Sequence, residues 1–121
     1  MATLGELERV VMDRLWDAET PMTGRSVLES LRDRDLAYTT VTTILDRLVG
    51  KGFAGRDRVG RSYQYHASVG RDELTAQMLR SVLDSAGDDA TGALVHFAEQ
   101  ATDDEAEALR RALERIEARH R

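Results

Sequence analysis

Apolar positions along the chain recur three and four residues apart, except over a short central stretch where they alternate. Leu7, Val10, Val11 and Leu15 form one helical face running to Ala18. Glu19-Thr20-Pro21 stops it, because proline restricts the residue before it and has no N–H to donate. Thr3 and Glu6 have the spacing of a capping box at the start of this helix. Thr23 is the expected N-cap of a second helix, with Val27, Leu28 and Leu31 on its inner side. A third helix is predicted from Thr39 or Thr40 to about Val49, closed by Gly50 and Gly52 in left-handed backbone. Val41, Ile44, Leu45 and Leu48 stand at i, i+3, i+4 and i+7 and make its buried stripe.

The central stretch then changes period from about 3.6 to 2. Phe53 to Arg58 and Ser62 to His66 read as two short strands around a Val59-Gly60-Arg61 tip. Tyr63 and Tyr65 share one strand face, which suits packing of the hairpin on the body. Trp16 and Tyr38 read as core or core-edge residues. Beyond the hairpin the helical period returns. Leu74, Met78, Leu79, Val82, Leu83 and Ala86 line one side of a helix from Arg71, and Gly87-Asp88-Asp89 breaks it. Leu94, Phe97, Ala98 and Ala101 share a face of the next helix, and Thr102 with Glu105 forms a second capping box. The last helix carries Ala106, Leu109, Leu113 and Ile116, the seam of a helix that seeks a helical partner. The fold class expected is mainly α with a small β-hairpin: a winged helix-turn-helix head over residues 1–69 and a helical dimerisation tail over 70–121. Leu74, Met78, Val82, Phe97, Leu109, Leu113 and Ile116 are the expected dimer contacts.

Composition narrows the function classes. The chain has 121 residues, 41% hydrophobic and 32% charged, ordinary for one soluble domain with an extension. No stretch approaches the roughly 20 apolar residues of a membrane span, and the charge-interleaved N-terminal stretch has no signal-peptide core. A cytoplasmic location is expected. With no cysteine there is no disulfide and no thiolate chemistry. His96 and Glu99 lie one helical turn apart, but a lone pair of this kind is far more often solvated than metal-bound, and no metal or cofactor is expected. Nothing pairs a nucleophile with a base, so the chain does not read as an enzyme.

The formal net charge of −5 conceals its distribution. Residues 1–66 carry ten basic and ten acidic side chains, whereas residues 67–121 carry seven and twelve. Within residues 39–66, Arg47, Lys51, Arg56, Arg58 and Arg61 face only Asp46 and Asp57. A local basic patch steers an anionic partner even on an acidic chain. On the third helix, Thr39, Thr43, Asp46, Arg47 and Gly50 point away from the apolar stripe, with Thr40 and Lys51 flanking Arg47. Threonines allow close approach to DNA, and an arginine can grip guanine bidentately or clamp a phosphate. On the wing, Arg56, Arg58 and Arg61 suit backbone or minor-groove contact. The residues expected to meet double-stranded DNA are Thr39, Thr40, Thr43, Arg47, Lys51, Arg58 and Arg61.

The string from Ala37 through Leu48 (AYTTVTTILDRL), followed by Lys51-Gly52, resembles the recognition-helix signature of the penicillinase-repressor (BlaI/MecI) family. Leu7 to Trp16 resembles that family's first helix, and Arg61 to Tyr65 its wing. The resemblance implies a homodimeric winged-helix repressor bound to palindromic operators, often of β-lactam-resistance genes. It also implies a sensor and protease pathway, in which the best-known members are cut at an Asn-Phe bond in the tail. The matching position here is His96-Phe97. The copper-responsive branch uses a cysteine-rich C-terminus, which this chain does not have. Two other readings of the residues stay open: a regulator gated by a small molecule, and a helical protein-interaction module whose wing never touches nucleic acid.

Overall fold

The computed structural model describes residues 4–121. Helix α1 (Glu6–Asp17) opens at Gly5, whose N–H donates to the Glu8 carboxylate at 2.9 Å. Thr3, one half of the expected capping pair, lies outside the described residues. Glu6 is itself the first helical residue, and Glu8 does the capping. The backbone turns extended at Ala18, ahead of Pro21.

Strand β1 (Met22–Thr23) leads into helix α2 (Gly24–Ser30), and Thr23 caps α2 by accepting the Ser26 N–H at 3.0 Å, as expected. A 3₁₀ turn at Arg32–Arg34 ends on Asp35 in left-handed backbone. Helix α3 (Tyr38–Gly50) starts earlier than the threonine run predicts. It also keeps Gly50 inside the helix; of the two glycines expected to close it, Gly52 alone takes positive φ, at 82°.

Strands β2 (Ala54–Val59) and β3 (Ser62–Ala67) pair antiparallel through the two-residue connection Gly60-Arg61. Gly60 has φ 64° at the first central position, the backbone that a type II′ hairpin requires. Strand β1 pairs with the other edge of β3, so the sheet order is β1-β3-β2. A two-residue strand is too short to leave an alternation in the sequence, and none was expected there.

The α3 stripe is buried as predicted: Val41, Ile44, Leu45 and Leu48 meet Val11, Met12 and Leu15 of α1 and Val27 of α2 in one core. Phe53, just ahead of β2, and Tyr65 of β3 close this core. Helix α4 (Arg71–Ala86) joins it too. Leu74 is fully buried and Met78 packs against the same cluster. Leu74, expected in the dimer seam, belongs instead to the interior of the head, while Met78, expected there too, is only partly buried against the head. Trp16 supports the start of α4 by donating its indole N–H to the Val69 carbonyl at 2.8 Å, while Arg71 reaches Asp17 at 2.9 Å.

The first compact unit accordingly runs to Ser81 rather than to 69, and the second is Val82–Arg121. The second contains the end of α4, a 3₁₀ turn at Gly87–Asp89, helix α5 (Ala90–Glu99) and helix α6 (Asp103–Arg119). Gly87 breaks the helix at φ 61°, and Thr102 and Glu105 form the predicted reciprocal cap of α6. No residue from 82 to 121 is buried within the single chain.

Candidate nucleic-acid interface

Burying one stripe of α3 commits the opposite side to solvent. Thr39, Thr43, Asp46 and Arg47 are exposed, and Thr40 is half-buried at the flank. Among the described residues the Arg47 guanidinium has neither a hydrogen bond nor an ion pair. With Thr39, Thr40, Thr43 and the start of α1, it lines an open groove of about 580 Å³. The Thr43 hydroxyl donates to the Thr39 carbonyl at 2.8 Å, as Thr42 does at 3.1 Å. That bond uses the donor of Thr43 and leaves its oxygen lone pairs and methyl group outward. Such a surface suits a base amino group or a thymine methyl better than a phosphate, which needs a donor.

The wing brings three arginines beside this helix, each in a different state. Arg56 is bound to Asp46 of α3 at 2.9 Å. Arg58 donates to the Gly60 carbonyl at 3.3 Å and lies 5.7 Å from the Tyr63 ring centroid. Arg61, at the tip, is exposed and has no partner among the described residues. Tyr65 is buried against the body as expected, whereas Tyr63, expected on the same packing face, is exposed beneath Arg56 and Arg58.

Lys51 departs from expectation. Its ammonium lies 2.8 and 2.9 Å from the two Glu8 carboxylate oxygens, tying the end of α3 to the start of α1. In the single chain this expected DNA contact is engaged by Glu8. Burial pushes the Glu8 carboxyl up, but the Lys51 and Gly5 hydrogen bonds and the charges of Lys51 and Arg47 outweigh it, and the net shift is below the ordinary 4.5. A depressed carboxyl stabilises the fold above its unfolded value, and that contribution disappears as pH falls through the folded one. Glu8→Gln should therefore cost about 1–2 kcal/mol at neutral pH, the scale of a hydrogen bond to a charged group. Urea unfolding at a series of pH values should show the gap from wild type closing below about pH 4. A gap that stayed constant with pH would show that the carboxylate charge contributes nothing.

One residue escaped the sequence reading. Arg25, on the exposed side of α2, stands over the Tyr38 ring at 5.0 Å from its centroid, and Tyr38, expected in the core or at its edge, is 44% exposed. Both line a cleft of about 520 Å³ between α2, α3 and the wing, shared with Thr42, Arg56, Arg61 and Tyr63. A lone arginine in α2 had no periodic signal to mark it. Its position became visible once the fold placed α2 beside the wing.

An α-helix with a free outward face, a preceding α2 and a basic antiparallel hairpin compose a winged helix-turn-helix. The sequence model of the family described as penicillinase repressor matches residues 4–115. The chain belongs to the penicillinase repressor family. It is 48% identical over 123 residues to the transcriptional regulator BlaI of Mycobacterium tuberculosis, in both strains CDC 1551 / Oshkosh and H37Rv, covering 99% of this chain and 89% of each relative. A crystal structure of MarR matches with a TM-score of 0.50 at 16% identity, over 98% of this chain and 80% of that one, a likeness of fold.

As a member of this family the chain is a DNA-binding transcriptional regulator, and not an enzyme. Among the described residues no helix is long and apolar enough to cross a membrane, and no group of three or more His, Cys, Asp or Glu is placed to hold a metal ion. His96 and Phe97, at the family's expected cleavage position, are both exposed and lie within the helical backbone of α5. In the second unit Val82, Phe97, Leu109, Leu113 and Ile116 are between 39% and 64% exposed, so the tail residues of the expected seam are uncovered in one chain.

Proposed function

We propose that the protein represses transcription as a homodimer on a palindromic operator, reading bases with α3 and holding the backbone with the wing. The observation that carries this reading is the outward face of α3, where Thr39, Thr43 and Arg47, without a hydrogen bond or ion pair among the described residues, stand exposed, with Arg58 and Arg61 exposed on the wing. A helix of this kind fits the major groove, about 12 Å wide, and the preceding helix of such a motif crosses the backbone, which gives Arg25 a phosphate to meet. Dimerisation is supported by the second unit. Forty residues, mostly helical and without one buried side chain, do not hold together alone, and exposed apolar rows of this extent mark an association surface. Two identical heads joined by a two-fold axis require a pseudo-palindromic site. The family description, penicillinase repressor, supports β-lactam-resistance or related genes as the regulated set.

Selection of bound sequences from random double-stranded DNA tests the whole reading at once. Two inverted half-sites at a fixed spacing are expected, and recovery of no enriched sequence would refute it. Binding should also be steeply salt-dependent. With Arg25, Arg58 and Arg61 each meeting one phosphate per protomer, about six phosphates are neutralised and log affinity falls against log salt with a slope near −5. A slope shallower than about −2 would leave the basic surface without a role.

A further inference from the structure

Helix α3 carries a single acid, Asp46, next to Arg47 on its outward face. A carboxylate there repels DNA phosphates, so on charge alone its removal should tighten binding. The surrounding geometry argues for the opposite result. Oδ1 of Asp46 accepts from the Arg56 guanidinium at 2.9 Å and from the Tyr65 hydroxyl at 3.4 Å. Arg56 and Tyr65 are cross-strand partners on β2 and β3. One oxygen on α3 thus engages a residue from each strand of the wing. The same guanidinium lies 4.4 Å from the Tyr63 ring centroid, and the Tyr63 and Tyr65 rings are 6.5 Å apart. Burial first, and then the Asp46 charge, push the Tyr65 phenol up, so it remains a neutral donor to that oxygen at neutral pH.

We propose that Asp46 is a wing-positioning residue: through Arg56 and Tyr65 it fixes the hairpin against α3, so that Arg47, Arg58 and Arg61 engage one duplex together. This rests on α3 and the wing being the DNA surface. Arg56 then serves binding mainly by holding the wing, while Arg58 and Arg61 supply its free charge.

The test is titration of the full-length chain against a duplex recovered by selection from random DNA, repeated across a salt series. Asp46→Ala removes both charge and acceptor and should weaken binding about threefold to tenfold, the effect of one exposed ion pair counted in two protomers. It should also flatten the salt slope, because a displaced wing neutralises fewer phosphates. Asp46→Asn keeps an oxygen for Arg56 and Tyr65 and should fall between Ala and wild type. Arg56→Ala, which severs the contact from the wing side, should reproduce both the loss and the flattening. Unchanged or tighter binding by Asp46→Ala, with its urea midpoint intact, overturns the proposal. Arg47→Ala separates the two levels. If Arg47→Ala abolishes binding while Asp46→Ala does not weaken it, the positioning role alone is wrong. If neither weakens it, the DNA surface has been misplaced.

Discussion

Replacing Arg47 with alanine should weaken binding to the selected operator by at least about thirtyfold while leaving the fold intact. A good bidentate arginine–base contact is worth about 1–3 kcal/mol, and a symmetric dimer loses it twice. The Arg47 side chain leaves α3 on the side opposite Val41, Ile44, Leu45 and Leu48, and among the described residues it forms no hydrogen bond or ion pair. Its removal therefore opens no cavity and strands no buried group, and stability should change by no more than about 0.5 kcal/mol. Anisotropy titrations with labelled duplex measure the first effect and urea unfolding the second. Affinity within twofold of wild type would remove α3 as the reading helix.

Leu109→Asp should split the dimer. Leu109 is 41% exposed in one chain, on the α6 face that also carries Leu113 and Ile116. Burying a leucine contributes about 1.5–3 kcal/mol, and both copies are lost together, so the dimer should weaken by at least about a hundredfold before any cost of the buried aspartate. Sedimentation at micromolar protein should then show monomer. Far-UV circular dichroism should show lost helix as well, because residues 82–121 have no buried side chain of their own to fall back on. A variant that still sediments as a full dimer would place the subunit contact elsewhere.

What could be read from the sequence and what could not divides along a physical line. Local periodicity was sufficient for the α3 stripe, the Thr23 cap, the Thr102–Glu105 cap and the wing, because each depends on residues close in the chain. Destinations over long separations were not legible. Leu74 has the spacing of a tail seam, and spacing alone cannot say which body an apolar face will meet; the head core takes it. Lys51 carried a charge that suited DNA, but its partner Glu8 lies 43 residues away. Tyr38 read as core or core edge, and nothing in the sequence places it beneath Arg25 of α2. That Arg56 forms an ion pair with Asp46 while Arg47 forms none among the described residues is equally invisible in sequence, where both are simply arginines of a basic patch.

The chain's one tryptophan has a practical use that follows from where it sits. Trp16 is flanked by the guanidinium groups of Arg9 and Arg71, at 5.5 and 5.1 Å from its ring, with its indole N–H on Val69 just ahead of α4. Its emission is thus an intrinsic, label-free optical gauge of whether the start of α4 stays docked on the head. Because the ring belongs to the α1–α4 junction and not to the groove-facing side of α3, a change in that signal on adding duplex reports motion transmitted through the head, not direct quenching by bases.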